Sequence, residues 1–348
     1  MPCHNAPTAD DYAQRAASAD PTLLIAYVSQ GDLYLTDGAG PGRQLYRSGD
    51  VTSIYLSGDG ALVAFLRRLD GLHHSLWVVP TSGGDARALV STAHLAAIPT
   101  ATGADGTEVG QVEWVPNSHA ITYSTRPAVD GEGAETSGDR WRVDADTGEE
   151  VASPGDLSRP ASDVGSAVPP PTCASAESWS ASPDHSVLSV SPSPHDLIAA
   201  IVEHDPPRDP NIWQLALASC DGVWKDVYER ACLIEFDGWA PDGKNFLFEK
   251  HVYECDPAFD QGDVDEPADA DSVELFIGRP CMIAVGVLPS QYASAGRWLD
   301  DDHFVYRTQS TYGGGADTRW QMRLGNVAGT GRLLLEAVGE PVYDFIER

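Results

Sequence analysis

Apolar residues in this chain fall in short runs rich in Val, Ile, Leu, Tyr and Phe, and the runs end at Gly, Pro, Asp or Asn. Runs of this kind predict β-strands, and the residues between them predict turns. One unit, a run, a turn and a second run, recurs along the chain. It appears as Ile54-Tyr55-Leu56-Ser57-Gly58-Asp59-Gly60 before Ala61 to Leu66, and as Trp114-Val115-Pro116-Asn117-Ser118 before Ala120 to Tyr123. A degenerate copy runs from Val190 to Asp196 before Leu197 to Val202. Trp239-Ala240-Pro241-Asp242-Gly243 precedes Asn245 to Phe248, and Trp298-Leu299-Asp300-Asp301-Asp302 precedes His303 to Tyr306. Each copy predicts a hairpin.

A second pattern follows each hairpin: an aromatic early in a run, then a Gly or Asp turn, then a short strand. The aromatics are Tyr34, Trp77, Trp141, Trp213, Phe276 and Trp320. Four antiparallel strands repeated in this way, each unit unable to bury its faces alone, predict an all-β chain folded as a six-bladed β-propeller of four-stranded antiparallel blades. Leu23 to Ser29 reads as a second strand with no partner before it, and Val342 to Ile346 as a lone first strand. The two ends are therefore expected to close the ring inside one blade. Ser182-Pro183-Asp184-His185, a further turn signal, leaves a seventh, irregular blade as an alternative.

The turn pattern of Ser or Ala, Pro, Asp and Gly before an apolar strand resembles the WD40-like repeats of TolB-type six-bladed propellers. Ala240-Pro241-Asp242-Gly243-Lys244-Asn245-Phe246 is the nearest copy. The resemblance covers residues 23–348 and speaks to fold far more than to function. Residues 1–22 are expected to be a disordered extension or a tether. Insertions are expected near 92–108, 127–139, 153–178 and 254–272. The last holds Glu254, Asp256, Asp260, Asp263, Asp265, Glu266, Asp269 and Asp271 with no basic residue. Its spacing does not match the calcium loop of an EF-hand, so it reads as a solvated acidic loop.

The 348 residues carry 52 acidic and 22 basic side chains, a formal charge of −30, which argues against a nucleic-acid partner. No run is long and apolar enough to span a membrane; the best, Phe276 to Leu288, is broken by Gly278, Arg279 and Pro280. Met1-Pro2-Cys3-His4-Asn5 has no apolar signal core, so the sequence reads as a trimmed, mature form outside the cytoplasm, periplasmic, secreted or anchored as a lipoprotein at Cys3, with a cytoplasmic protein as the alternative. Of the six cysteines, Cys232 and Cys255 fall at one edge of the fifth blade and are the expected disulfide; no pair has the spacing of a zinc or redox site.

Catalytic signatures are missing from the sequence. There is no Gly-x-Ser-x-Gly elbow, and Gly313-Gly314-Gly315 precedes no helix. The ends of the second strands hold Arg67, Arg126, Glu203, Lys250 and Arg307 as ligand-binding candidates, and the four cations among them suit a carboxylate-bearing ligand or tie blade to blade. His73, His204 and His251 fall on the same predicted loops and are candidate ligands for a divalent metal. Oligogalacturonate lyases, a TolB-like group, use a central metal held by histidines, so the resemblance implies one enzymatic reading: a metal-assisted lyase acting on an acidic, uronate-type glycan. The leading expectation is a non-enzymatic, monomeric propeller without cofactor that binds a protein or glycan partner through one loop face.

Overall fold

A computed structural model describes residues 20–68, 73–98, 106–128, 140–152, 185–193, 197–204, 213–220, 225–231, 233–251, 273–280, 282–291, 293–309, 319–338 and 342–347. The described residues form six four-stranded antiparallel sheets. In chain order the strands are β1 (Leu23–Ser29), β2 (Asp32–Thr36) and β3 (Arg43–Tyr46); then β4 (Val51–Leu56), β5 (Leu62–Arg68), β6 (His74–Pro80) and β7 (Arg87–Val90). Next come β8 (Gly106–Trp114), β9 (Ala120–Ala128), β10 (Arg140–Asp144) and β11 (Glu150–Ala152), and β12 (His185–Pro192), β13 (Leu197–His204), β14 (Trp213–Ser219) and β15 (Lys225–Ala231). The series ends with β16 (Leu233–Trp239), β17 (Phe246–His251), β18 (Val273–Gly278) and β19 (Val285–Gln291), with β20 (Ala293–Trp298), β21 (His303–Gln309), β22 (Arg319–Asn326) and β23 (Gly331–Val338), and with β24 (Tyr343–Glu347). Five sheets take four consecutive strands each; the remaining one has the order β24-β1-β2-β3.

The last strand thus completes the sheet of the first three, as the strand pattern anticipates. Leu23 to Tyr27 lie antiparallel to Glu347 to Tyr343. The Val28 amide donates to the Val342 carbonyl at 2.8 Å, and the Leu56 amide donates to Asp344 Oδ2 at 2.7 Å, which ties β24 to β4 as well.

The chain forms two compact units. One comprises residues 21–165 and 338–348; the other comprises 166–337, with Asp20 joined to it by an ion pair to Arg332. In each unit the core lies along the second and third strands of the sheets. β5 and β17 are buried on both faces through their apolar runs, whereas the fourth strands β3 and β7 are half exposed. Burial on both faces explains why second strands read as continuous apolar runs rather than as alternating ones. The apolar clusters join neighbouring sheets: Leu24 and Leu33 pack with Ile54 and Phe65, and Leu215 and Leu217 pack with Phe246 and Phe248.

Two devices recur, the first between neighbouring sheets and the second within a sheet. The tryptophan that opens a hairpin donates its indole N–H to a first-strand carbonyl of the preceding sheet: Trp114 to Tyr55 at 3.0 Å, Trp239 to Ser191 at 3.0 Å and Trp298 to Gly238 at 3.1 Å. The second device places a glycine under a ring. Gly278 faces Phe246 across the ladder, and a side chain there would come within 2.0 Å of the ring; Gly325 faces Phe304 in the same way. The turn of the nearest repeat copy closes through the Gly243 amide on the Ala240 carbonyl at 2.8 Å, and Gly243 adopts a φ of 63°, a conformation suited to glycine.

A register shift recurs in the first strands β4, β8, β12, β16 and β20 where each pairs with its second strand. Part of the segment expected as an insertion at 92–108 is regular. Ser91 caps a short helix α1 (Thr92–Ala96), its hydroxyl accepting from the His94 amide, and β8 begins at Gly106. The cores of the other three expected insertions lie outside the described residues.

Candidate functional site

The basic residues at the ends of the second strands each meet a partner of the same chain. Arg67 on β5 grips Asp50 with both ends of its fork, Nε to Oδ1 at 2.9 Å and Nη2 to Oδ2 at 2.8 Å. Its guanidinium also lies 4.5 Å from the Trp77 ring centre and 5.2 Å from that of Tyr46. Burial pushes the Asp50 carboxyl up, but the hydrogen bonds from Arg67 and Ser48 outweigh it and hold the group below its usual range.

Arg126 on β9 donates Nε to Glu108 Oε1 at 2.7 Å. The other oxygen of Glu108 accepts from His74 Nδ1 at 2.5 Å. Glu108 is pushed up by burial and pulled down further by His74 and Arg126, so its net position is below the ordinary glutamate value. Lys250 on β17 pairs with Glu229 of β15 at 2.9 Å and lies over the Phe276 ring at 4.5 Å. Arg307 on β21 lies 5.4 Å from the Trp320 ring centre.

Of the candidate metal histidines, His73 sits just before β6 with Nε2 close to Gly106, and His251 ends β17. Glu203 and His204 lie on β13, opposite Ser186 and His185 of β12. Cys232 and Cys255 lie outside the described residues. Cys220, at the end of β14, is disulfide-bonded, which the even cysteine count permits but does not point to.

The structure also assembles a group that the sequence reading does not single out. His251 Nε2 lies 3.7 Å from Glu235 Oε1 and 3.9 Å from Glu249 Oε2, and one potential ligand atom from each of the three residues falls within 4.8 Å of the others. Asp237 adjoins them and shares a hydrogen bond with Glu249. Burial first, then the charges of Glu249 and Glu235, push the Asp237 carboxyl well above the usual aspartate range, against the backbone amide of Gly296 acting the other way. Asp237 Oδ2 is sealed from solvent and meets no hydrogen-bond donor.

The register of β16 on β17 creates this group. Trp239 faces Phe246 and Gly238 faces Leu247, but past the shift Phe236 faces Phe248 and Glu235 faces Glu249. Asp237 is the extra residue of that β-bulge, a position that re-aims a side chain. Without the bulge Glu235 would face Lys250. With it, two carboxylates come opposite one another, and Lys250 pairs with Glu229 instead.

Among the described residues, no helix is long and apolar enough to cross a membrane. No protein-family model matches the chain, and no curated protein matches it. Solved structures do. TolB from Acinetobacter baumannii is 12% identical at a TM-score of 0.40, over 96% of this chain and 70% of that one. The AtxE2 isopeptidase without ligand is 10% identical at 0.49, over 97% of this chain and 55% of that one. A variant of the same isopeptidase with Astexin3-dC4 bound is 10% identical at 0.50, over 96% and 55%. The chain thus spans about half the length of the isopeptidase. At these identities the likeness concerns fold alone, and with the six four-stranded sheets it is consistent with a TolB-like β-propeller fold.

Proposed function

We propose that the six sheets are the blades of one TolB-like propeller, its ring closed by β24 beside β1, and that it works outside the cytoplasm as a non-enzymatic module binding a protein or glycan partner through one loop face. The observation that carries this reading is where the chain lengthens. In four sheets the connector from second to third strand is long, residues 129–139, 205–212, 252–272 and 310–318, with 69–73 in the same place of a fifth sheet, while third-to-fourth connectors such as 81–86 and 327–330 have six residues or fewer. Long connectors gathered at one strand end of a rigid scaffold are where binding surfaces form.

Those five connectors hold sixteen carboxylates and one arginine, Arg208; eight of the carboxylates fall in 252–272 and four in 129–139. The partner surface is therefore cationic, drawn to a concentrated negative field. Arg67, Arg126 and Lys250 already answer carboxylates of their own chain, which leaves little positive charge to receive an acidic sugar. For this reason the lyase reading is not favoured. The Cys220 disulfide supports an oxidising compartment.

An immobilised arginine-rich peptide tests the acidic face. The native chain is expected to bind it, with affinity falling as salt rises. A chain with the eight carboxylates of 254–271 changed to amides is expected to bind about tenfold more weakly, a difference of about 1.4 kcal/mol. Equal binding by the two chains overturns the proposal, as does heat release on titration with a polyuronate.

A further inference from the structure

The geometry points to a divalent-cation site on the β16–β17 hairpin, with Glu235, Glu249 and His251 as ligands and Asp237 as a fourth carboxylate beside them. Three observations support it. The ligand set is mixed, since an imidazole nitrogen stands within 4 Å of two carboxylate oxygens and the potential ligand atoms span no more than 4.8 Å. The group is prepared by the backbone: the bulge at Asp237 turns four polar side chains of two strands toward one another, where the unshifted register would set Glu235 against Lys250. And Asp237 Oδ2, sealed from solvent and without a donor, is an acceptor that the folded chain leaves open beside the cluster.

Like charges at this distance oppose one another, and a buried carboxylate without a donor is destabilising. A cation answers both. The remaining surroundings favour a fixed pocket. Gly296 of the neighbouring β20 approaches so closely that a side chain there would meet Leu247 at 2.7 Å and Asp237 Oδ2 at 3.4 Å. The indole of Trp298 holds the Gly238 carbonyl next to the bulge. Three carboxylates with one imidazole suit a first-row divalent ion that accepts oxygen and nitrogen together, Mn²⁺ or Zn²⁺, better than Mg²⁺, which prefers oxygen and retains its waters.

The test uses the full chain, stripped with a chelator and then titrated calorimetrically with Mn²⁺, Zn²⁺ and Mg²⁺ at physiological ionic strength, with thermal unfolding followed in parallel. One equivalent of Mn²⁺ or Zn²⁺ is expected to bind and to raise the unfolding temperature, as any ligand of the native state does. Glu249→Gln and His251→Asn are each expected to weaken binding by at least about tenfold. Because Glu249 is buried, exposed Glu235→Gln serves as the variant that keeps the fold, and it is expected to weaken binding in the same direction; Asp37→Asn, a surface carboxylate elsewhere, is expected to change nothing. Absence of a saturable equivalent, or equal loss in Asp37→Asn and Glu235→Gln, overturns the site.

Discussion

Glu108 on β8 and Glu249 on β17 are about equally buried, 6% and 4% exposed, and they keep opposite company. Glu108 lies between the His74 imidazole and the Arg126 guanidinium and is held below its ordinary value. Glu249 lies beside Asp237 and Glu235, and burial, with the charges of Glu249 and Glu235 added to it, drives Asp237 upward. The first arrangement is complete within the chain: burial is offset by charge-assisted hydrogen bonds, and the residue fastens one sheet to the next. The second gathers three carboxylates about a single imidazole, and on the proposed reading a cation completes it. A buried carboxylate therefore reads as a fastener or as a receptor according to the cations around it, and burial alone does not distinguish the two.

The same chemical change should separate the two regions. Glu108→Gln is expected to destabilise the chain by about 2 to 4 kcal/mol, since it removes the negative charge and leaves one acceptor oxygen for two donors, buried His74 and more exposed Arg126. Urea unfolding followed by tryptophan fluorescence measures this, and a loss below about 0.5 kcal/mol, the level of an ordinary surface substitution, would place Glu108 outside the fasteners. The pH dependence carries a sign. Because the folded value of Glu108 is lowered, its contribution is full above the unfolded value of 4.5 and is lost as pH falls through the folded value; the Gln variant should lack that part of the acid limb.

Trp298→Phe keeps the ring and removes the donor to the Gly238 carbonyl beside the bulge. A stability loss of about 1 to 2 kcal/mol is expected from one part-buried hydrogen bond. An undiminished melting temperature would show that the bulge holds its shape without the indole. Asp237→Asn, in chelator, is expected to lie within about 1 kcal/mol of the native chain, because an amide can donate to Glu249 where two carboxylates must share a proton. A loss as large as that of Glu108→Gln would erase the contrast between the regions.

The smallest effect belongs to an exposed counterpart, His119, which bridges Asp59 at 3.0 Å and Asp146 at 2.9 Å from three different turns. The hydrogen bonds that His119 donates to Asp59 and Asp146 raise His119, so its share of stability is full below 6.5 and fades as pH climbs through the folded value. Asp59 is lowered by the Ala61 amide and by His119, so its share is present above 3.8 and fades in acid. The bridge should therefore be strongest between those two values. His119→Gln should lower stability in that window by less than about 1 kcal/mol, as expected for solvent-screened pairs. A constant difference between native and variant across the whole pH range would remove the electrostatic account.

Much of the architecture is legible in the residues. The six aromatics Tyr34, Trp77, Trp141, Trp213, Phe276 and Trp320 all fall on third strands, and the hairpins follow the repeat turns, because both signals are local. The partners of Arg67 and Lys250 are less legible. Their positions at strand ends follow from the repeat, but Asp50 and Glu229 precede the first strand of the sheet concerned, and nothing in the spacing selects them. The β16–β17 cluster was hidden for a definite reason. Glu235 and Asp237 alternate as solvent-facing residues do, and counting back from the Pro241-Asp242-Gly243 turn sets Glu235 against Lys250. One inserted residue shifts that count and inverts the charge of the pair.

The pairing of β1 with β24 bears on synthesis. A ribosome releases residues 23–29 before all the strands from β2 to β23 and residues 343–347 after them, so the outer edge of β1 waits through the synthesis of every intervening strand for its partner. During that wait the nascent chain offers an unpaired, apolar strand to any neighbour with a complementary edge. Joining the two also requires closing the longest loop the sequence contains, a late and slow event compared with the local hairpins. Quality control in the cell would thus meet this protein mainly as a chain whose other sheets are built and whose first sheet is still one strand short.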